Sequence, residues 1–447
     1  MNYIPHTDFE RREMLDTIGV NKLDDLFDAV PAKYRFPDLN LPEALTEMEA
    51  LWEMQSLADA NADINHYACF LGAGAYNHYI PSLVDHVIRR GEFFTAYTPY
   101  QPEVSQGPLQ AIFEFQSMIG NLTGFEICTA SHYDGATAFT EAALMAINTT
   151  GRGKVVVSPT VHPHYRQTLR TYVQFKTDLR VTGDENADTV SRIDQLLDLV
   201  DEDTACLCIA NPNFFGQFEE VSGIAEQVHA KGALLVTAVN PISLGLFKPP
   251  ADYGADVAVG EGQPLGIPLS FGGPYLGFFA TRREFMRRIP GRIVGETVDK
   301  EGRRGYVLTL KTREQDIRRD KATSNICTNQ GLMALAACVY MSALGKQGLR
   351  QVAGLCYHKA HYAADRIGRL DGYTVWNKRP FFNEFVVECP LPVSEVNDYL
   401  LNEHDIIGGF DLSKDYPHLR NHMLVCCTET NTRDEIDELI EALSELT

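Results

Sequence analysis

Ala205-Cys206-Leu207-Cys208-Ile209-Ala210 is an unbroken apolar run that ends at the turn Asn211-Pro212-Asn213. After the amphipathic segment Glu220–Ala230 a second such run follows, Ala233-Leu234-Leu235-Val236-Thr237-Ala238-Val239. A strand with one face in water alternates polar and apolar residues. A strand without alternation is covered on both faces, which is the condition of a parallel sheet between helical layers. Two such runs joined by a helical segment therefore read as a β-α-β unit. The same grammar recurs at Lys154–Val157, Leu179–Thr182, Asp256–Val259 and Leu276–Ala280, with Ser191–Val200 as a further helical segment. Turns fall where strands should stop or start, at Asn211-Pro212-Asn213 and Gly272-Gly273-Pro274. The fold class predicted is α/β with a mainly parallel sheet.

The flanks read differently. Asp8–Val20 and Leu41–Ala60 are acidic and helical in spacing, punctuated by Pro31 and Pro37. They predict an N-terminal helical extension over residues 1–60 and a large α/β domain over 61–320. Beyond it, a helix at Gln330–Leu344 leads to strand-like Glu384–Glu388 and Met423–Cys427. A terminal helix over Thr432–Leu446 follows, with Asn431-Thr432 as its cap and Asp434 and Glu435 in its first turn. A smaller α+β domain is expected over 321–447.

Composition removes several function classes. The chain has 447 residues with 45% hydrophobic and 22% charged, so it is neither disordered nor fibrous as a whole. Lys and Arg number 39 against 60 Asp and Glu, a net charge of −21 that repels nucleic acid. No run of consecutive apolar residues reaches the ~18–20 that span a bilayer, and Met1–Arg12 has no apolar leader. The 10 cysteines form no CxxC pair, and His162-Pro163-His164 is the only tight His pair. Buried thiols in a cytoplasmic protein without a metal, a membrane or a nucleic-acid partner are expected.

Three segments carry candidate ligand chemistry. Ser131-His132-Tyr133-Asp134-Gly135-Ala136-Thr137 precedes the helical run Ala138–Ile147, so its backbone N–H groups suit a phosphate. Helix capping by Asp134 is the plainer reading. Tyr97-Thr98-Pro99-Tyr100-Gln101-Pro102-Glu103 presents two phenols on a chain stiffened by proline. Packing on the core is its alternative. Asp320-Lys321-Ala322-Thr323-Ser324-Asn325 crowds hydrogen-bonding side chains before a helix and serves a cap equally well.

Taken together, these segments resemble the P-protein of the glycine cleavage system, glycine decarboxylase, and within it the first subunit (α chain) of the two-subunit form. The resemblance rests on Phe70-Leu71-Gly72-Ala73-Gly74, the run from Tyr97 to Gly107, and Asn211-Pro212-Asn213-Phe214-Phe215-Gly216. It continues through Ser270-Phe271-Gly272-Gly273-Pro274, the run from Arg319 to Thr328, and Phe382-Asn383-Glu384-Phe385, nearly the whole chain. It implies a fold-type-I pyridoxal-phosphate architecture with a seven-stranded sheet. It also implies decarboxylation of glycine with transfer of the aminomethyl group to the lipoyl H-protein.

A chain holding that cofactor needs a lysine to bind it covalently and a carboxylate to pair with its ring nitrogen. The only lysine between Lys231 and Lys300 is Lys248, which precedes the Asp256–Val259 strand. Alignment with the family motif puts Gln263 about where the lysine belongs. The strand Ala233–Val239 carries no acid, and Asn240 is its nearest polar neighbour. Ala136 and Thr137 stand where a stacking His is expected. The resemblance therefore implies a chain without catalytic residues of its own, in an α2β2 assembly with subunit 2 (the β chain), which holds pyridoxal phosphate covalently. Tyr97 and Tyr100 are carried over as lining the partner's glycine site. Thr323, Ser324 and Asn325 are carried over near the cofactor phosphate, and Ser131, Asp134, Gly135 and Thr137 as a relic phosphate turn. Docking of H-protein on Arg282, Arg283, Arg287 and Arg288 is a further expectation. The competing readings are a stand-alone pyridoxal-phosphate decarboxylase or aminotransferase using Lys248, and a non-catalytic scaffold for H-protein.

Overall fold

In the computed structural model, which describes residues 6–175, 180–183, 188–322, 324, 326 and 329–446, the chain forms two units, residues 1–61 and 62–447. In the first unit Thr7 and Thr46 each accept a hydrogen bond from the backbone of a Glu three residues on, which returns one to the cap. These reciprocal caps start helices α1 (Asp8–Ile18) and α2 (Glu47–Asp59). The second helix begins later than its apolar spacing suggests because its cap forms at Thr46, beyond Pro42. Neither helix buries a residue.

The second unit is built on seven strands. In chain order with the principal helices these are α3 (Gln106–Thr123), β1 (Ile127–Cys128), α4 (Gly135–Thr150), β2 (Lys154–Val157), α5 (Pro163–Val173), β3 (Arg180–Thr182), β4 (Thr204–Ala210), β5 (Leu234–Ala238), β6 (Val257–Glu261) and β7 (Gly277–Thr281). The sheet order is β1-β7-β6-β5-β4-β2-β3. Only β7 runs antiparallel to its neighbours. β1 has two residues, too short to leave an apolar run in the sequence.

Both faces are covered, as the unbroken apolar runs require. Leu207 and Ile209 of β4 join a core with Phe115 and Ile119 of α3. Cys206, Cys208 and Ala210 face the other way, into a core with Ala138, Ala142 and Ala146 of α4 and Leu169 of α5. The period of two along a strand makes this division.

A two-strand ribbon follows, β8 (Ile293–Val298) and β9 (Arg304–Thr309). Helix α6 (Gly331–Ile367) is interrupted at Gly345, whose φ is 61°. By length and composition α6 could cross a membrane. Its Ala334, Ala337, Cys338 and Tyr340 are instead buried in the core shared with α3. The chain ends in an antiparallel sheet ordered β10-β11-β13-β12, from β10 (Thr374–Val375), β11 (Glu384–Glu388), β12 (Phe410–Asp411) and β13 (His422–Cys426). Helix α7 (Arg433–Ser444), capped by Thr432, packs Ile436, Leu439 and Ile440 into the core beside that sheet.

Candidate functional site

Ligands of open α/β sheets bind beyond the carboxyl ends of the parallel strands. Here that place is a small cleft lined by Ala210, Asn240, Glu261, Tyr165, His162 and Glu384, among others. Its volume is about 70 Å³, room for a few waters, and no lysine lines it. Sites for small organic ligands are several times larger, roughly 300–1,000 Å³.

The side chains themselves close this place to a cofactor. Asp134 caps α4 by accepting from Thr137 N at 2.7 Å. The next free donor, Gly135 N, is taken by the Glu261 carboxylate at 2.9 Å. Glu261 also accepts from Gln263 N and Leu276 N, each at 2.9 Å. An internal carboxylate thus sits where the helix N-terminus would receive a phosphate. A Cβ on Gly135 would lie 1.9 Å from the Tyr165 hydroxyl, so no space remains above the turn. Gln263 is 1% exposed, and its amide is fully used. It donates to Tyr76 O at 2.9 Å and Ile267 O at 2.7 Å and accepts from Tyr76 N at 2.9 Å. The residues at this position do not fit pyridoxal phosphate. Lys248 is exposed and stands outside the cleft.

Two carboxyls line the cleft, Glu261 and Glu384. Burial pushes Glu261 up to about 7, although its three backbone donors favour the charged form. Burial likewise raises Glu384 to about 7, against bonds from Ala73 N at 2.6 Å and Tyr76 Oη at 2.7 Å. A carboxyl raised on folding contributes stability that is fully present below its unfolded value near 4.5 and lost as pH rises through about 7. An amide at 384 carries no charge; its oxygen still accepts from Ala73 N, and its NH2 donates to the Tyr76 hydroxyl, which turns from donor to acceptor. Glu384→Gln is therefore expected to gain on the wild type by about 2 kcal/mol between pH 5 and pH 8. Urea denaturation at the two pH values checks this, and an identical difference at both would refute it.

Two of the three segments, the tyrosine loop and the turn before α4, meet elsewhere, around a residue that the sequence does not single out. Arg292 is 5% exposed and lies at the start of the β8–β9 ribbon. It donates to the Tyr100 hydroxyl at 2.8 Å and to Asn329 Oδ1 at 3.2 Å. Asn329 Nδ2 in turn donates to Ser131 Oγ at 3.0 Å. The chain Tyr100–Arg292–Asn329–Ser131 thus joins the tyrosine loop, the residues before α6 and the turn before α4. A surface cavity of about 270 Å³ beside it is lined by Tyr97, Thr98, Asn329, Gln330 and Gly331. Tyr97 is 86% exposed and Tyr100 46%. Thr323 and Asn325 lie outside the described residues. Ser324 is half-buried, and its Oγ accepts from Ile326 N at 3.1 Å.

In the arginine cluster, Arg282 is bound to Gly254 O, Ala255 O and Asp256, and Arg288 donates to Asn148 O. Those two guanidiniums are committed to this chain. Among the described residues one His/Cys/Glu group is tight enough to consider for a metal: His78, Cys356 and Glu429. Glu429 Oε2 stands 2.7 Å from His78 Nδ1 and 3.3 Å from Cys356 Sγ, so these atoms already satisfy one another.

The family model described as "Glycine cleavage system P-protein" matches residues 1–443. The chain is 55% identical to a probable glycine dehydrogenase (decarboxylating) subunit 1 of Thermomicrobium roseum, with all of both chains covered. It is 52% identical to the protein of that name from Bacillus cereus strain AH187, covering 99% of this chain and 98% of the relative. A crystal structure of glycine decarboxylase (P-protein) of the glycine cleavage system, in inhibitor-bound form, superposes with a TM-score of 0.89 at 44% identity over all of both chains. A sphingosine-1-phosphate lyase of Burkholderia pseudomallei shares the fold alone, with a TM-score of 0.66 at 14% identity over 93% of this chain and 94% of the lyase. The sheet and its flanking helices are the fold-type-I architecture of pyridoxal-phosphate enzymes.

Proposed function

Because the chain belongs to the glycine cleavage system P-protein family, we propose that it is subunit 1 of a two-subunit glycine dehydrogenase (decarboxylating) and completes an active site whose pyridoxal phosphate the partner subunit holds. The single observation that carries the second half is the closed cofactor position. Gln263 spends its whole amide on Tyr76 and Ile267, and Glu261 occupies the N-terminus of α4. A stand-alone cofactor enzyme would need a lysine at the cleft.

In this reading the cofactor supplies the electron sink for loss of the glycine carboxyl group. This chain contributes the exposed phenol of Tyr97, the Arg292-bound phenol of Tyr100 and the polar segment before α6, with Thr323, Ser324 and Asn325 near the partner's cofactor phosphate. An α2β2 assembly and transfer of the aminomethyl group to lipoyl H-protein belong to the same proposal. So does a cytoplasmic setting, which the nine free cysteines among the described residues support.

Borohydride reduction with pyridoxal phosphate, followed by peptide mass spectrometry, tests it. This chain alone should give no stoichiometric lysine adduct, and the mixture with subunit 2 should give one on subunit 2. A stoichiometric adduct on a lysine of this chain would overturn the reading.

A further inference from the structure

We propose that Arg292 is a positioning residue that turns Tyr100 into an obligate hydrogen-bond donor toward the carboxylate of the substrate. The inference rests on the functional reading above and adds to it which side of glycine this chain recognises.

A guanidinium has only donors. At 2.8 Å from Arg292, the Tyr100 oxygen must accept. The phenol proton is then left over, and among the described residues Tyr100 donates it to nothing. The residue is 46% exposed, so the tyrosine stands at the surface where a ligand that offers an acceptor can reach it.

The surroundings favour an anionic acceptor. The Lys311 ammonium lies 4.9 Å from the Tyr100 ring centroid and the Arg292 guanidinium 5.3 Å from it. Arg313 donates to Ile289 O and Gly291 O and so braces the backbone that carries Arg292. The facing carboxylate is Glu314, whose Oε2 is 3.7 Å from Arg292 Nε. Three cations against one acid on a chain of charge −21 mark a local reversal of sign. Glycine carries its negative charge on its carboxylate, the group lost in the reaction.

Lysine cannot replace this arginine. The fork reaches Tyr100 and Asn329 at once, which a single ammonium on a flexible stem does not reproduce.

The test uses the complex reconstituted with subunit 2 and measures binding by equilibrium dialysis of labelled glycine and of labelled methylamine, which lacks the carboxylate. Arg292→Lys is expected to weaken glycine by roughly tenfold, the scale of a hydrogen bond to a charged group. Methylamine affinity should stay within about twofold. On a Tyr100→Phe background, Arg292→Lys should add little further loss, because the proton it directs is already gone. Should Arg292→Lys fail to fold, Tyr100→Phe alone must still discriminate glycine from methylamine. Equal losses for both ligands, or losses that simply add in the double variant, would assign Arg292 a merely structural role and overturn the proposal. If the wild-type complex did not exchange CO2 with glycine, the functional reading would fall and take this inference with it.

Discussion

Gly216→Ala is expected to leave little or no folded protein. Gly216 closes the turn after β4 with φ at 78°, a region that costs an L-residue roughly 1–2 kcal/mol. A Cβ there would also lie 2.0 Å from the backbone oxygen of Glu384 and 2.6 Å from its carbonyl carbon. Backbone cannot swing aside as a side-chain tip does. The turn and the start of the C-terminal sheet are bonded on both sides of this contact. Phe382 N donates to Gly216 O at 3.0 Å, and Gln217 Oε1 accepts from Lys378 N and Arg379 N. Displacing Glu384 would also loosen its hold on Ala73 and Tyr76. The combined cost should be about 4 kcal/mol or more, in the range reserved for named steric failures. Gly223→Ala is the control, since Gly223 has φ of 72° with nothing within 4 Å of a Cβ. Thermal melting of the two variants decides the matter. A Gly216→Ala melting point within about 2 °C of the control would mean that the close approach does not exist.

Glu219→Ala should cost about 3–5 kcal/mol, the usual result of removing one partner from a buried ionic network. The Glu219 side chain is fully buried. It accepts from Thr160 Oγ1, Ser191 N, Ser191 Oγ and Asn213 Nδ2, at 2.7 to 3.0 Å on Oε1. Its other oxygen meets Arg379 Nη1 at 3.0 Å. Alanine would strand buried donors from several segments at once, and each is expensive to leave unmade. Glu219→Gln keeps one acceptor oxygen and should lose about half as much. Urea denaturation gives both values. Equal stability of the alanine variant and the wild type would show that water replaces the carboxylate freely and that the network is dispensable.

The covered strands were legible in the sequence. From Ala205 to Ala210 every residue of β4 is apolar, and Thr237 is the one polar residue of β5, so each strand reports its two faces through its own neighbours. The helix starts at Thr7 and Thr432 were equally local, because a cap and its return bond lie three residues apart, whereas apolar spacing alone put the start of α2 at Leu41 instead of after Thr46. The missing lysine was legible as Gln263 once the family resemblance supplied the register. What Gln263 does instead was not legible, because its partner Tyr76 lies 187 residues away. Neither was the plugging of α4 by Glu261, at a separation of 126. Both carboxyls near pH 7 owe their position to burial, which no local pattern records. Arg292 reads in sequence as one more arginine in a basic stretch, and only the tertiary structure places it against Tyr100, 192 residues away. Periodicity is written along the chain, and so the layers could be read from it. A site is a meeting of distant segments, and which segments meet is decided by the packing of those layers.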